Sequence, residues 1–131
     1  MSERTFSIRE LAASAGVTAH TLRYYERIGL INPVPRTESG HRSYREVHLN
    51  RVRFIRRLRS TGMPIRNILS YFELVKHGGS TIDERLAIME THRDSIVNQI
   101  DELRQNLEQI ELKICSYKED IMQSHLPSER K

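Results

Sequence analysis

Between Ile82 and Ile121 the large apolar residues keep a 3.5-residue rhythm. Ile82, Leu86, Met89, Ile96, Ile100, Leu103, Leu107, Ile110, Ile114, Tyr117 and Ile121 are separated by 4, 3, 7, 4, 3, 4, 3, 4, 3 and 4 residues. That repeat puts them on one seam of a long helix that winds against a second helix. Leu86, Ile100, Leu107, Ile114 and Ile121 take the a positions, and Arg93 fills the a position inside the sevenfold gap, where it weakens or orients the seam. Residues 82–121 extend about 60 Å at 1.5 Å per residue. A lone helix of that length exposes its seam to water, so a homodimer is expected in preference to a helix folded back on its own chain. The pattern leaves parallel and antiparallel pairing open.

Charge separates the rest of the chain from this helix. Residues 1–66 hold 13 Arg and Lys against 5 Asp and Glu, whereas residues 67–131 hold 8 against 12. The halves therefore carry +8 and −4, summing to the net +4 of the 131 residues. Nine arginines fall between Arg36 and Arg66 against only Glu38 and Glu46. Arginine can fork two donors onto a phosphate or a guanine edge. By itself the stretch also describes a solvated basic surface, so its position in the fold matters. No apolar run approaches the roughly 20 residues needed to cross a bilayer. The start MSERTFSIRE has no apolar signal core, so a cytoplasmic location is expected. Cys115 has no second cysteine with which to form an intrachain disulfide or a thiolate cluster.

Ser7-Ile8-Arg9-Glu10 has capping-box spacing, and Ile8, Leu11, Ala12 and Ala15 make one apolar face before Gly16 ends a first helix. Thr18 then caps a second helix to Ile28, with Val17, Leu22 and Tyr25 inward and His20, Thr21, Arg23 and Tyr24 outward. This is the spacing of a helix-turn-helix, whose second helix enters a DNA major groove. Residues 31–44 contain Pro33, Pro35 and Gly40 and read as a two-stranded wing turning at Glu38-Ser39-Gly40, with Arg36, Arg42 and Tyr44 placed to hold a DNA backbone. Val47, Leu49, Val52, Ile55 and Leu58 predict a third helix to Ser60, and Pro64 is expected as the first residue of a fourth, whose exposed amides with Arg66 form a further phosphate site. The expected organisation is a DNA-binding domain at 1–77, a linker at 78–80, a dimerisation helix at 81–121 and a flexible tail at 122–131.

The runs Phe6-Ser7-Ile8-Arg9-Glu10-Leu11-Ala12, Thr21-Leu22-Arg23-Tyr24-Tyr25-Glu26-Arg27-Ile28-Gly29-Leu30-Ile31, Gly40-His41-Arg42-Ser43-Tyr44 and Leu58-Arg59-Ser60-Thr61-Gly62-Met63-Pro64-Ile65 resemble the MerR family of bacterial transcription regulators. With the long helix, the resemblance covers nearly the whole chain. It implies a mainly all-α fold, a winged helix-turn-helix followed by a dimerisation helix, with the two heads at opposite ends of an antiparallel coil. It also implies double-stranded promoter DNA with a pseudo-palindrome as partner, RNA polymerase holoenzyme at that promoter, and output through distortion of the DNA. Carried over by position, Thr18, His20, Thr21, Arg23, Tyr24 and Tyr25 match the reading helix, Tyr25 also being partly a core residue. Arg36, Arg42 and Tyr44 match wing contacts, and Arg66 matches the clamp at the fourth helix.

Metal-sensing members resemble one another in paired thiolates at the ends of the dimerisation helix, and the matching stretches here contain no cysteine. No metal and no cofactor is expected. The effector is left open between a single-thiol sensor of electrophiles and a small organic ligand, the latter at a sheltered space near Tyr71, Phe72, Leu86 and Met89, residues that equally suit core packing. No Ser/His/Asp set, paired catalytic carboxylates or glycine-rich phosphate loop is present, so no enzymatic activity is expected. The rival readings are a DNA-binding regulator with no effector and a coiled-coil interaction protein whose basic head is an assembly surface. A sequence-specific footprint separates the second from a regulator.

Overall fold

The computed structural model describes residues 4–32, 34, 38, 40 and 43–125. Among these residues the order is β1 (Thr5–Phe6), α1 (Ile8–Ala15), α2 (Ala19–Arg27), β2 (Tyr44–Arg45), α3 (Glu46–Ser60), α4 (Ile65–Lys76) and α5 (Ile82–His125). A 3-10 turn at Gly79–Thr81 precedes α5. The architecture is a winged helix-turn-helix followed by one long helix, as the sequence led us to expect. The chain divides into two compact units after Met89.

In the first unit, local chemistry fixes the helix ends. The Glu10 amide donates to Ser7 Oγ at 3.1 Å and the Ser7 amide donates to Glu10 Oε1 at 3.0 Å, closing the capping box at α1. These bonds hold the Glu10 carboxyl below its ordinary pKa, the backbone bond from Ser7 first. Gly16 ends α1 at φ 73°, a left-handed conformation that a β-carbon resists. Thr18 caps α2 by accepting from the Thr21 amide at 3.0 Å. At α3 the cap comes from inside the helix, where His48 Nδ1 accepts the Arg45 amide at 2.9 Å. Pro64 stands one position earlier than expected. Its extended ψ of 149° makes it the N-cap of α4, and its carbonyl accepts from Asn67 and Ile68 at 3.0 and 3.2 Å.

The two strands pair antiparallel, Thr5 opposite Arg45 and Phe6 opposite Tyr44. The strand that ends the expected wing therefore has a partner at the start of the chain. Most of residues 33–42, Arg36 and Arg42 among them, lie outside the described residues; Gly40, at the expected turn, has φ 85°. Phe6, Leu11, Leu22, Leu30, Ile31, Tyr44, Val52, Ile55 and Ile68 form the centre of the core. Val47, expected in the α3 stripe, is 56 % exposed. It sits two residues, about 200° of helical turn, from Leu49, which is buried.

The joint between α4 and α5 is closed by a buried hydroxyl. The Thr81 Oγ1 proton is shared between the carbonyls of Leu74 at 2.7 Å and Gly78 at 2.8 Å, and Arg85 Nε donates to the same oxygen at 3.0 Å. Arg85 Nη2 reaches the Gly78 carbonyl at 3.2 Å. Gly78 takes φ 84° and ψ −161°, a conformation confined to glycine.

Among the described residues of the second unit, α5 is the one element. It runs to His125, so residues 122–125, placed in the tail by sequence, are helical. Every residue from 97 to 125 is exposed, including Ile100, Leu103, Leu107, Ile110, Ile114, Tyr117 and Ile121 of the seam. Arg93 lies against Asp94 at 3.1 Å and Glu90 at 4.0 Å.

Candidate nucleic-acid interface

The face of α2 is set by what its other face buries. Leu22 and Tyr25 are buried and Val17 is half-buried ahead of them, so His20, Arg23, Tyr24 and Arg27 are left on the surface. Positions 20, 23, 24 and 27 follow the i, i+3, i+4, i+7 spacing of one helical stripe. Arg27 Cζ lies 5.6 Å from the Tyr24 ring centroid, and the Tyr24 and Tyr25 rings are 6.2 Å apart. The outer end of the stripe therefore pairs a cation with an aromatic face. Arg27 was not among the residues singled out from sequence, although its spacing of four from Arg23 was the available signal.

The remaining expected site residues divide by burial. Thr18 Oγ1 donates to Thr21 Oγ1 at 2.9 Å while it accepts the Thr21 amide, so both hydroxyls help build the start of α2. Tyr25 is 6 % exposed; burial pushes its phenol up in pKa, with Arg59 pulling it down. Its ring anchors α2 from within the core. Tyr44 is corrected outright. At 1 % exposure its ring stands edge-on to His48 at 5.9 Å, because pairing with Phe6 turns it to the inner face of the strands. A ring buried there cannot touch a backbone. Arg66 is exposed in the first turn of α4, which contains no acidic residue. A positive helix end beside a guanidinium suits a phosphate.

The arginines of α3 are not a uniform solvated face. Arg53 Nη2 donates to the Ser14 carbonyl at 3.3 Å, and the Arg56 guanidinium stands 3.2 Å from where a β-carbon on Gly16 would lie. α1 has no basic residue in its own last turn, so α3 supplies positive charge to that helix end. Arg59 Nη1 donates to the Met63 carbonyl at 3.0 Å and shapes the turn into α4. His48 is held below its ordinary pKa, chiefly by burial and then by Arg45.

The expected effector residues stand in different surroundings. Tyr71 and Phe72 join Phe54 in a ring cluster, with centroids 5.2 to 6.4 Å apart. Met89 packs against the core, while Leu86 is exposed. A cavity of about 810 Å³ lies beyond Phe72, against the end of α2, and of the four residues only Phe72 lines it.

Comparison with known proteins agrees with this geometry. The model of the MerR HTH family regulatory protein matches residues 6–74, and the model described as MerR, DNA binding, matches residues 49–112. An uncharacterised HTH-type transcriptional regulator of Haemophilus influenzae is 33 % identical over 113 residues, covering 86 % of this chain and 84 % of the relative. The crystal structure of HiNmlR, a MerR family regulator lacking the sensor domain, bound to promoter DNA, superposes with a TM-score of 0.86 at 30 % identity, covering 95 % of this chain and 98 % of that one. A MerR family regulator from Listeria monocytogenes gives 0.82 at 34 % identity, over 91 % and 90 % of the two chains. No helix among the described residues is long and apolar enough to cross a membrane. The exposed α2 stripe, the basic elements around it and these likenesses lead to one conclusion: the chain belongs to the MerR family and is a DNA-binding regulator of transcription, not an enzyme.

Proposed function

We propose that two copies pair through the α5 seam, that each α2 reads one half of a pseudo-palindromic promoter, and that the geometry of the pair distorts the DNA to control RNA polymerase there. The observation that carries this reading is the seam itself. Seven large apolar residues between 100 and 121 are exposed on the heptad register of a helix that has no neighbour among the described residues of its own unit. A second copy supplies the facing helix and the second reading head together. Arg23 is assigned to base reading; Arg36, Arg42 and Arg66 are assigned to backbone anchoring. Smoothly bending 20 to 30 base pairs by 40 to 90° costs on the order of 1 to 6 kcal/mol, so an effector that prefers one arrangement of the pair by a similar amount suffices to switch output. Selection of bound sites from random duplexes, followed by transcription on the selected promoter, tests binding and output together. A two-fold symmetric site, twice the chain mass in light scattering and altered transcript yield are expected. A monomer at concentrations that saturate the DNA contradicts the reading.

A further inference from the structure

We propose that the cavity between the end of α2 and α4 binds a small organic monoanion, an aromatic carboxylate, with Arg51 as its anchor. Its volume of about 810 Å³ lies inside the roughly 300–1,000 Å³ of small-molecule sites. Among the described residues that line it, Ile28, Leu69 and Val75 give apolar walls, Phe72 a ring and Arg51 a half-buried charge. The Arg51 guanidinium carbon is 4.0 Å from the Phe72 centroid, a distance at which the planar group lies against the ring and leaves its N–H edge for other partners. Arg51 Nε, shut off from water, has no hydrogen-bond partner among the described residues. Its neighbours on α3 behave differently, since Arg53 and Arg59 donate to backbone carbonyls.

A buried donor without an acceptor is costly, and a carboxylate is the acceptor whose geometry matches a guanidinium fork. Burial pulls the Arg51 guanidinium below its usual range, the direction that a bound anion would reverse. Charge count sets the valence of the ligand. Arg51 and Lys76 oppose Glu73 on the lining, a net of one positive charge, and Glu73 itself faces His77 at 3.4 Å. One negative charge is therefore matched and two are not. The apolar walls and the ring take a flat hydrocarbon body in place of water. Because Ile28 and Gly29 border the cavity and directly follow α2, an occupant touches the end of the reading helix.

The test titrates the isotope-labelled full chain with sodium benzoate and, separately, with benzamide at constant ionic strength, following backbone amide resonances. It contains no DNA, so its outcome is independent of the promoter reading above. Benzoate is expected to shift the amides of Gly29, Ser70 and Lys76 saturably and to bind at least about tenfold more tightly than its neutral isostere. Arg51→Met abolishes that response. Leu69→Trp, which fills the void and keeps the guanidinium, abolishes it too and decides the matter if the Arg51 variant does not fold. Equal affinity for benzoate and benzamide, an undiminished response in a folded variant, or no shift at Gly29 overturns the proposal.

Discussion

A guanidinium on the exposed face of α2 and one on a helix end have the same chemistry and different expected consequences. Arg23 stands on the exposed stripe of α2, so Arg23→Ala is expected to relax preference at one base pair per half-site, costing roughly 1 to 3 kcal/mol if the side chain forks onto guanine. Arg66→Ala is expected to weaken cognate and scrambled duplexes alike. It flattens the slope of log affinity against log salt by about 0.9 per lost phosphate contact, or about 1.8 for two copies. Competition binding across a salt series separates the two, and equal loss of discrimination contradicts the division. His48 gives a second prediction at this scale. Burial and the adjacent Arg45 and Arg51 disfavour its cation, Glu26 works the other way, and Nδ1 is committed to the Arg45 amide. With its folded pKa below the unfolded 6.5, the unfolded chain binds the extra proton. The stability given by neutral His48 is thus full above that value and lost as pH falls through the lower folded one. Urea midpoints should fall as the solution is acidified below the imidazole range, and His48→Asn should flatten that part of the profile.

Helix ends were legible because their signals are local. Ser7 with Glu10, Gly16 and Thr18 each act within four residues, and each closes the bond or takes the conformation that its position predicts. β1 was not legible, since two residues carry no alternation to read. Its partner is 38 positions away, and without that pairing Tyr44 looks like one more aromatic of a wing. Val47 misled for a related reason: apolar character was clear, but the phase of the α3 stripe depends on where the helix meets its neighbours. The arginines posed the same difficulty. Nothing local says that Arg53 serves the end of α1 and Arg23 faces outward. Gly16 lends itself to a test at the scale of the element. Alanine there meets a φ of 73° and the Arg56 guanidinium at 3.2 Å. Arg56 can move aside, so the left-handed backbone dominates, and Gly16→Ala is expected to cost about 1 to 2 kcal/mol in urea denaturation. An unchanged midpoint would show that the turn has another conformation available.

At the scale of the molecule, the heptad seam makes folding and association separable. The first unit has its own buried core, whereas the seam of the second is exposed. Replacing Leu107 and Ile110 together by Glu is therefore expected to reduce the mass in light scattering to one chain. Operator affinity should fall with it, while the near-ultraviolet signal of the tyrosines in the head is retained. Loss of that signal would mean that the head depends on pairing to fold. Arg93 fits the same picture from the opposite side. Asp94 and Glu90 flank its guanidinium, so the one charged a position is partly neutralised within its own helix.

The Thr81 hydroxyl has a mechanical consequence. Two adjacent glycines ahead of a long helix would ordinarily make a swivel, with any twist dissipated in free backbone rotation. Here one oxygen and the Arg85 guanidinium bind Leu74 and Gly78 to the first turn of α5, so the joint is expected to resist twisting. A torque on those first turns would then pass to the end of α4. Amide hydrogen exchange measures that stiffness directly: the Gly78 and Thr81 amides, which donate to Val75 and Gly78, should exchange slowly in the native chain and markedly faster in Thr81→Val. Equal rates would mean that the backbone turn holds by itself and that the lever is hinged after all.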